Sequence, residues 1–262
     1  ATRRPSLRQA TLEQLLSQRS GAPAFSSGAE LSSVEVQGET ASAQRLHFAL
    51  QVLRAPPAQE PGSGLLYSNA GYVIAGVLLE RVGGKPFEDL MRERLFSPLG
   101  MGSANFGAPS PSDEGQPIGH FTREGAQAVY LEAEPAIPAF LQPAGDVSLT
   151  LEDYGRYLRE HLCGLQGAGT RVLSYEAIQH LHEPIGESGG ALGWGRHAFD
   201  GSPASIHVGG TGAFSAFVAV LPSRDLAIAT VTNSGANSAR QEALALLQSI
   251  ISENVGQEPM SR

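Results

Sequence analysis

The apolar pattern of this 262-residue chain changes its period once, near residue 185. Before that point apolar residues recur every three or four positions, as they do on one face of a helix. After it come runs that are rich in β-branched residues and separated by turn residues, at 191–199, 205–209, 213–221 and 226–232. A last helical pattern covers residues 238–254. Helices followed by such strands and a closing helix predict an α+β fold with an antiparallel sheet flanked by helices.

The same change of period predicts how the chain is organised. We expect residues 1–185 to form a mostly helical region, and residues 186–262 to form a C-terminal sheet with a terminal helix. Capping patterns mark three helix starts in the first region, at Thr11, Thr150 and Ser174. Two stretches lack apolar periodicity: residues 24–43 predict a mobile loop, and residues 102–140 predict long irregular covering structure.

One polar stretch stands immediately before a strongly apolar helical pattern. The residues that precede Tyr67, Ser68 and Asn69 are rich in Gly, Pro and Ser. This composition predicts that Tyr67 and Asn69 lie on a turn outside any regular element. A tyrosine exchanges a proton when its surroundings tune its pKa, and an asparagine supplies both a donor and an acceptor. The alternative is structural, with the ring packing and the amide capping the helix.

Segments spread in order over nearly the whole chain carry a resemblance to a known family. They cover residues 11–23, 65–76, 84–88, 95–101, 142–145, 206–212 and 226–233. Together they resemble the serine β-lactamase-like family, which includes class C β-lactamases, D-alanyl-D-alanine carboxypeptidases and related esterases. The resemblance implies a β-lactamase/transpeptidase-like fold, in which a helical region is inserted into a domain whose sheet takes strands from both chain ends.

The resemblance also implies acyl transfer by a serine nucleophile on an ester, amide or β-lactam carbonyl. Tyr67 matches the tyrosine that exchanges protons with the nucleophile, and Asn69 matches the amide that holds a substrate carbonyl. His207 and Gly209 match the third motif, and the backbone N–H of Gly210 matches one oxyanion donor. We therefore expect catalytic roles for Tyr67 and His207, substrate-binding roles for Asn69, Gly209 and Gly210, and one cleft that contains both groups.

Each of the later residues also has a structural alternative. A histidine at a strand start is often held for structural reasons, and glycines near position 210 often mark a bulge or a close backbone approach. The order of the motifs favours function for His207 and Gly210, whereas Gly212 keeps its structural interpretation. A histidine in place of the lysine of β-lactamases favours the esterase or peptidase branches.

The nucleophile motif of the family, Ser-x-x-Lys, does not occur in this sequence. The only lysine is Lys85, and Val82 stands three residues before it. The resemblance therefore predicts that the N-terminal segment with the nucleophile and the first sheet strands lies outside this chain. The sheet should then have an unpaired edge and exposed apolar surface. An alternative of another class is a ligand-binding protein that keeps the cleft without catalysing a reaction.

Several other classes are disfavoured by composition. A net charge of −8 argues against a nucleic-acid surface, and no apolar run is long enough to predict a transmembrane segment. The single cysteine, Cys163, cannot form an internal disulfide. His180 and His182 lack the spacing of a helical zinc motif, so we expect no metal and no cofactor. The expected partner is a small-molecule or peptide substrate. The resemblance favours an extracytoplasmic location, and the residues leave compartment and oligomeric state open.

Overall fold

The computed structural model describes residues 6–109, 115–121, 129–130, 137–186 and 189–254. They divide into two compact units. The first unit contains the chain up to Leu95 together with Ile137–Asp146 and Pro184–Gly193, and the second contains the rest. The division at residue 185 that the apolar pattern indicates stays a prediction.

The first unit is built from helices. They are α1 (Leu12–Leu16), α2 (Gly28–Ser32), α3 (Ala41–Arg54), α4 (Asn69–Gly83) and α5 (Phe87–Met91), with a 3-10 helix at Ala139–Ala144. The capping box predicted at Thr11 is confirmed, because its side chain and that of Gln14 each accept from the other's backbone N–H. Helices α3, α4 and the 3-10 helix enclose a core around Phe48, Val73 and Phe140.

Two predictions for this unit are wrong. Residues 24–43 are not a continuous loop, because α2 lies within them and begins with a capping box between Ser27 and Glu30. Asn69 does not lie on a turn, because it is the first residue of α4 and Ser68 is the N-cap. A five-residue helix such as α2 is too short to produce an apolar period, which is why the pattern missed it.

A buried arginine joins the helices of this unit. The side chain of Arg45 on α3 is fully buried and forms ion pairs with Glu80 on α4 and Glu88 on α5. It also donates to the backbone oxygen of Ala139 at 3.2 Å and lies 5.4 Å from the centre of the Phe87 ring. A buried charge is tolerated only with such partners, so Arg45 ties three helices and the 3-10 helix together.

The second unit contains the predicted antiparallel meander. Its strands are β5 (Gly195–Phe199), β6 (Ser202–Gly210), β7 (Ser215–Leu221) and β8 (Leu226–Thr232), paired in chain order. Asp200 and Gly201 both have positive φ and form a tight turn that extends β6 back to Ser202, whereas the prediction began at 205. The left-handed φ of Gly193 and Gly212 explains why β5 and β7 begin later than predicted.

Helices cover both faces of this sheet. Helix α9 (Asn237–Glu253) packs on one face through Ala243, Leu247 and Ile251, as predicted. Helix α7 (Leu151–Leu165) contacts β7 and β8, and α8 (Tyr175–His182) packs against α7. The predicted caps Thr150 and Ser174 are confirmed. Within the described residues the outer edges of β5 and β8 pair with no further strand, and Val231 on β8 is half exposed.

Short elements complete the second unit. They are α6 (Ser97–Leu99), which follows a π-helical turn, and the two-residue strands β1 (Asn105–Phe106), β2 (His120–Phe121), β3 (Val129–Tyr130) and β4 (Val147–Ser148). Strand β1 pairs with β4 and β2 pairs with β3. Parts of the irregular stretch predicted at 102–140 lie outside the described residues, namely 110–114, 122–128 and 131–136. Across the part of the chain that is described, none of the helices combines the length and apolarity that crossing a bilayer demands.

Candidate active site

The Tyr67-Ser68-Asn69 motif is held at the N-terminus of α4 by its central residue. Ser68 is fully buried, and its hydroxyl accepts from the Gly71 N–H at 3.0 Å and donates to the Pro23 oxygen at 2.7 Å. The serine is therefore the N-cap of the helix. Because Ser68 fixes the helix start, its two neighbours have defined positions on either side of the cap.

Tyr67 and Asn69 form a hydrogen-bonded pair. The Tyr67 hydroxyl donates to Oδ1 of Asn69 at 2.9 Å, and Nδ2 of Asn69 donates to the backbone oxygen of Phe25 at 2.9 Å. About half of the Tyr67 side chain is exposed, at 54%. Desolvation of the rest raises the pKa of Tyr67 above its ordinary value. The pair therefore presents a neutral phenol beside an oriented amide.

A second tyrosine, Tyr72, lies one turn further along α4. Its hydroxyl donates to the Leu16 oxygen at 2.7 Å. Burial, and to a smaller extent the neighbouring Tyr67, raises the pKa of Tyr72 to about 12. A phenol held in this way is a structural donor to α1, in contrast to the partly exposed Tyr67.

The third motif lies on β6 in the second unit. His207 is exposed and pairs across the sheet with Val218, while Gly210 pairs with Ser215 at the end of the strand. A Cβ on Gly210 would lie 3.2 Å from the Phe214 oxygen and 3.3 Å from Nη1 of Arg240. A side chain at Gly210 would therefore force its neighbours to shift by a few tenths of an ångström. Gly212 has a φ of 94°, which favours glycine.

Arg240 is a candidate residue that the sequence reasoning missed. It is the fourth residue of α9, and its guanidinium lies 6.0 Å from the centre of the Phe217 ring. Among the described residues it forms no ion pair. A cation near a helix N-terminus opposes the helix dipole, which is a signal that the sequence alone contains.

Two buried histidines, His161 and His182, are linked to His207 on β6 through Trp194. His161 Nδ1 and His182 Nε2 are 2.8 Å apart, and both rings pack on Trp194, which in turn lies 6.3 Å from the His207 ring. Desolvation lowers the pKa of His161 to about 4 and that of His182 to about 3, where His161 and Arg196 contribute further. Within the described ranges, no three side chains of metal-binding type form a cluster.

This pair predicts acid sensitivity. Both pKa values are lowered on folding, so below pH of about 6.5 the unfolded chain binds more protons than the folded one. The free energy of unfolding is therefore unaffected by these two histidines above about pH 6.5. It decreases as the pH falls from there towards their folded pKa values of about 4 and about 3. We expect the free energy of unfolding to drop by about 2–4 kcal/mol between pH 7 and pH 5, measured by urea titration of Trp194 fluorescence.

The control variants isolate this contribution. His182→Gln keeps a hydrogen-bonding partner for His161 and removes one titrating group, so the pH slope should become shallower. His197→Gln makes the same substitution at an exposed histidine on β5, outside the buried pair, and is the matched control. Identical slopes for His182→Gln and the parent chain would contradict the expectation.

The structure thus brings Tyr67 and Asn69 into contact and places His207, Gly209 and Gly210 on one strand. The first group belongs to the first unit and the second group to the second unit. Convergence of the two groups on one cleft, and the roles assigned to these residues, stay predictions.

Comparison with known proteins identifies the family. A family model described as "Beta-lactamase" matches residues 2–250. A penicillin-binding protein 4 from Amycolatopsis lactamdurans is 27% identical over 185 residues, covering 67% of this chain and 49% of that protein. Unguisins hydrolase ungD' from Aspergillus campestris is 26% identical, covering 96% of this chain and 47% of that protein.

Solved structures agree with these relatives. The crystal structure of a protein named SurE superposes with a TM-score of 0.74 at 26% identity, covering 97% of this chain and 58% of the other. The chain spans about half the length of the curated relatives it matches, at 49% and 47%. Because the family model covers nearly all of the sequence, the chain belongs to the beta-lactamase family.

Proposed function

We propose that this chain supplies the tyrosine, asparagine and third-motif part of a serine hydrolase that acts on an ester, amide or β-lactam carbonyl. The observation that carries the proposal is the hydrogen-bonded pair of Tyr67 and Asn69 at the start of α4. The nucleophilic serine and its lysine would come from residues outside these 262, because Lys85 is the only lysine here. Relatives named as penicillin-binding proteins and hydrolases support this reaction class.

The proposal gives each of these residues a role. The neutral phenol of Tyr67 exchanges a proton with the serine or with the leaving group during acyl transfer. Asn69 donates an amide N–H to a substrate carbonyl, and the backbone N–H of Gly210 donates to the oxyanion. The second oxyanion donor is the N–H of the nucleophile itself.

The cations near the third motif bear on substrate choice. His207 stands at the position where β-lactamases have a lysine, whose ammonium group is charged at neutral pH. Arg240 beside Gly210 adds a permanent charge with no acidic partner among the described residues. Arg240 favours a small-molecule or peptide substrate with a carboxylate near the scissile bond. The histidine in place of lysine favours the esterase or peptidase branches over a true β-lactamase.

A second candidate function is ligand binding without turnover. It is favoured by one observation, the lack of Ser-x-x-Lys in these 262 residues. Such a protein would keep Asn69 and the third motif as a recognition surface and would retain a ligand unchanged.

Intact-mass measurement after treatment with a fluorophosphonate or a penicillin separates these functions. The 262-residue chain should form no stoichiometric adduct, because the Ser-x-x-Lys motif that would activate the nucleophile does not occur in its sequence. A longer protein from the same reading frame that includes Ser-x-x-Lys should form one. An adduct on the 262-residue chain would show that one of its own serines is the nucleophile, and the proposed mechanism would be wrong. A reading frame without Ser-x-x-Lys would support the binding protein.

A further inference from the structure

Residues 18–25, which we name the clamp segment, make a dense set of hydrogen bonds to the Tyr67-Ser68-Asn69 motif. The Leu66 N–H donates to the Gln18 backbone oxygen and the Ser68 N–H donates to Gln18 Oε1, each at 2.7 Å. The Asn69 N–H donates to the Ala24 oxygen at 2.9 Å. The Ser68 hydroxyl bond to Pro23 and the Asn69 amide bond to Phe25 complete the set. Consecutive residues of the motif are thus fixed from one side.

The backbone of the clamp segment is strained at two of these contacts. Gln18 has a φ of 60° and Phe25 has a φ of 46°, which is the left-handed region that favours glycine. Glycine at position 18 would remove the strain but also the side-chain oxygen that accepts from Ser68. The Phe25 ring packs edge-on against Phe48 at 5.0 Å, which holds its carbonyl in place. Strain of this kind persists where surrounding structure enforces it, and it concentrates near functional sites.

The clamp segment determines which way the Asn69 amide faces. A backbone carbonyl only accepts hydrogen bonds, so the group of Asn69 that faces Phe25 must be the NH₂. Oδ1 must then face the Tyr67 hydroxyl, which it keeps as a donor. One N–H of the amide remains without an acceptor among the described residues. The arrangement suits a substrate group that accepts a hydrogen bond, such as a carbonyl.

We propose that Gln18 and Phe25 are positioning residues, which hold the Asn69 amide in one orientation and through it the Tyr67 hydroxyl. This inference rests on the proposed hydrolase function for its catalytic consequence only. Gln18 acts through its side-chain oxygen on Ser68, and Phe25 acts through its backbone oxygen on Asn69. Neither residue touches the reacting atoms.

A matched set of variants at Gln18 tests the proposal. Gln18→Met removes the acceptor at nearly constant size, Gln18→Glu keeps an acceptor oxygen, and Gln18→Gly relieves the positive φ while removing the side chain. In the 262-residue chain we expect the Asn69 side-chain amide signals in NMR spectra to shift or broaden in the Met and Gly variants. The pKa of Tyr67, followed through the ring carbon that bears its hydroxyl, should fall in the same two variants, because the neutral phenol loses its acceptor. Gln18→Glu should keep the Asn69 amide signals and the pKa of Tyr67 close to those of the parent chain.

The catalytic arm uses the longer protein that carries Ser-x-x-Lys. There the Met and Gly variants should lower kcat by about 10–100-fold, with KM changed much less, because misplacement of a catalytic group acts on the transition state. If the longer protein is inactive, the proposed function fails, whereas the NMR arm still tests the clamp segment. Gln18→Gly is the most informative variant, because relief of the positive φ offsets part of the stability that is lost with the side chain.

A purely stabilising role predicts a different outcome. Thr150→Ala removes the N-cap of α7 in the second unit and serves as a destabilised control. It should lower Tm and leave the Asn69 and Tyr67 signals unchanged. The proposal is overturned if Gln18→Met and Gln18→Gly change only Tm, or if Gln18→Glu behaves like Gln18→Met.

Discussion

Replacing Tyr67 by phenylalanine, in a protein long enough to include Ser-x-x-Lys, is expected to lower kcat by about 10²–10⁴-fold with little change in KM. The substitution keeps the ring and removes the hydroxyl that donates to Asn69. Its loss would leave the nucleophile or the leaving group without a proton-exchange partner in the transition state. Steady-state hydrolysis of a chromogenic ester and of a chromogenic β-lactam measures the effect and also ranks the two substrate classes.

Tyr72→Phe is the matched control for that experiment. It removes a hydroxyl on α4, near the helix start that Tyr67 precedes, and this hydroxyl donates to the Leu16 oxygen instead of to a candidate catalytic group. We expect kcat within a few-fold of the parent and a loss of about 1 kcal/mol in the free energy of unfolding. Equal losses of kcat in the two variants would mean that both hydroxyls act on stability alone, and Tyr67 would lose its proposed role.

The sequence predicted those parts of the fold that depend on neighbouring residues. The caps at Thr11, Thr150 and Ser174 are read from spacing, since the capping oxygen and its N–H are three residues apart. Strand β8 was predicted with its exact ends, because Pro222 and Asp225 mark the preceding turn chemically. Ser68 shows the limit of such predictions. Its side chain caps α4, but the motif predicted roles for Tyr67 and Asn69 and none for the serine between them.

Features that depend on distant contacts were not predictable. The positive φ of Gln18 and Phe25 follows from hydrogen bonds to residues more than 40 positions away, and neither residue type favours that conformation. The burial of Arg45 has the same origin, since its partners Glu80 and Glu88 lie on other helices. Composition records the charges without saying which of them the fold encloses.

Arg45→Ala is expected to lower the free energy of unfolding of the first unit by about 3–5 kcal/mol. Removal of the guanidinium leaves Glu80 and Glu88 near each other without a shared cation. Glu80 also accepts from the Ser42 hydroxyl at 2.7 Å and the Phe87 N–H at 2.9 Å, so it cannot easily turn towards solvent. Chemical denaturation followed by circular dichroism measures the loss.

Two further variants identify the buried charge as the cause. The triple change of Arg45→Met, Glu80→Gln and Glu88→Gln removes all three charges at similar volume and should recover most of the stability, because unpaired buried charge is the costly element. Lys85→Met breaks an exposed ion pair with Glu93, at 2.5 Å, and should cost no more than about 1 kcal/mol. If the triple variant is as unstable as Arg45→Ala, the arginine stabilises the unit through packing against Phe87 and the Ala139 carbonyl instead.

The same variants connect this ion-pair cluster to the candidate site. Glu80 is on α4, and the first residue of that helix is Asn69. In the longer protein, Arg45→Ala should therefore also lower kcat, and the triple variant should restore it.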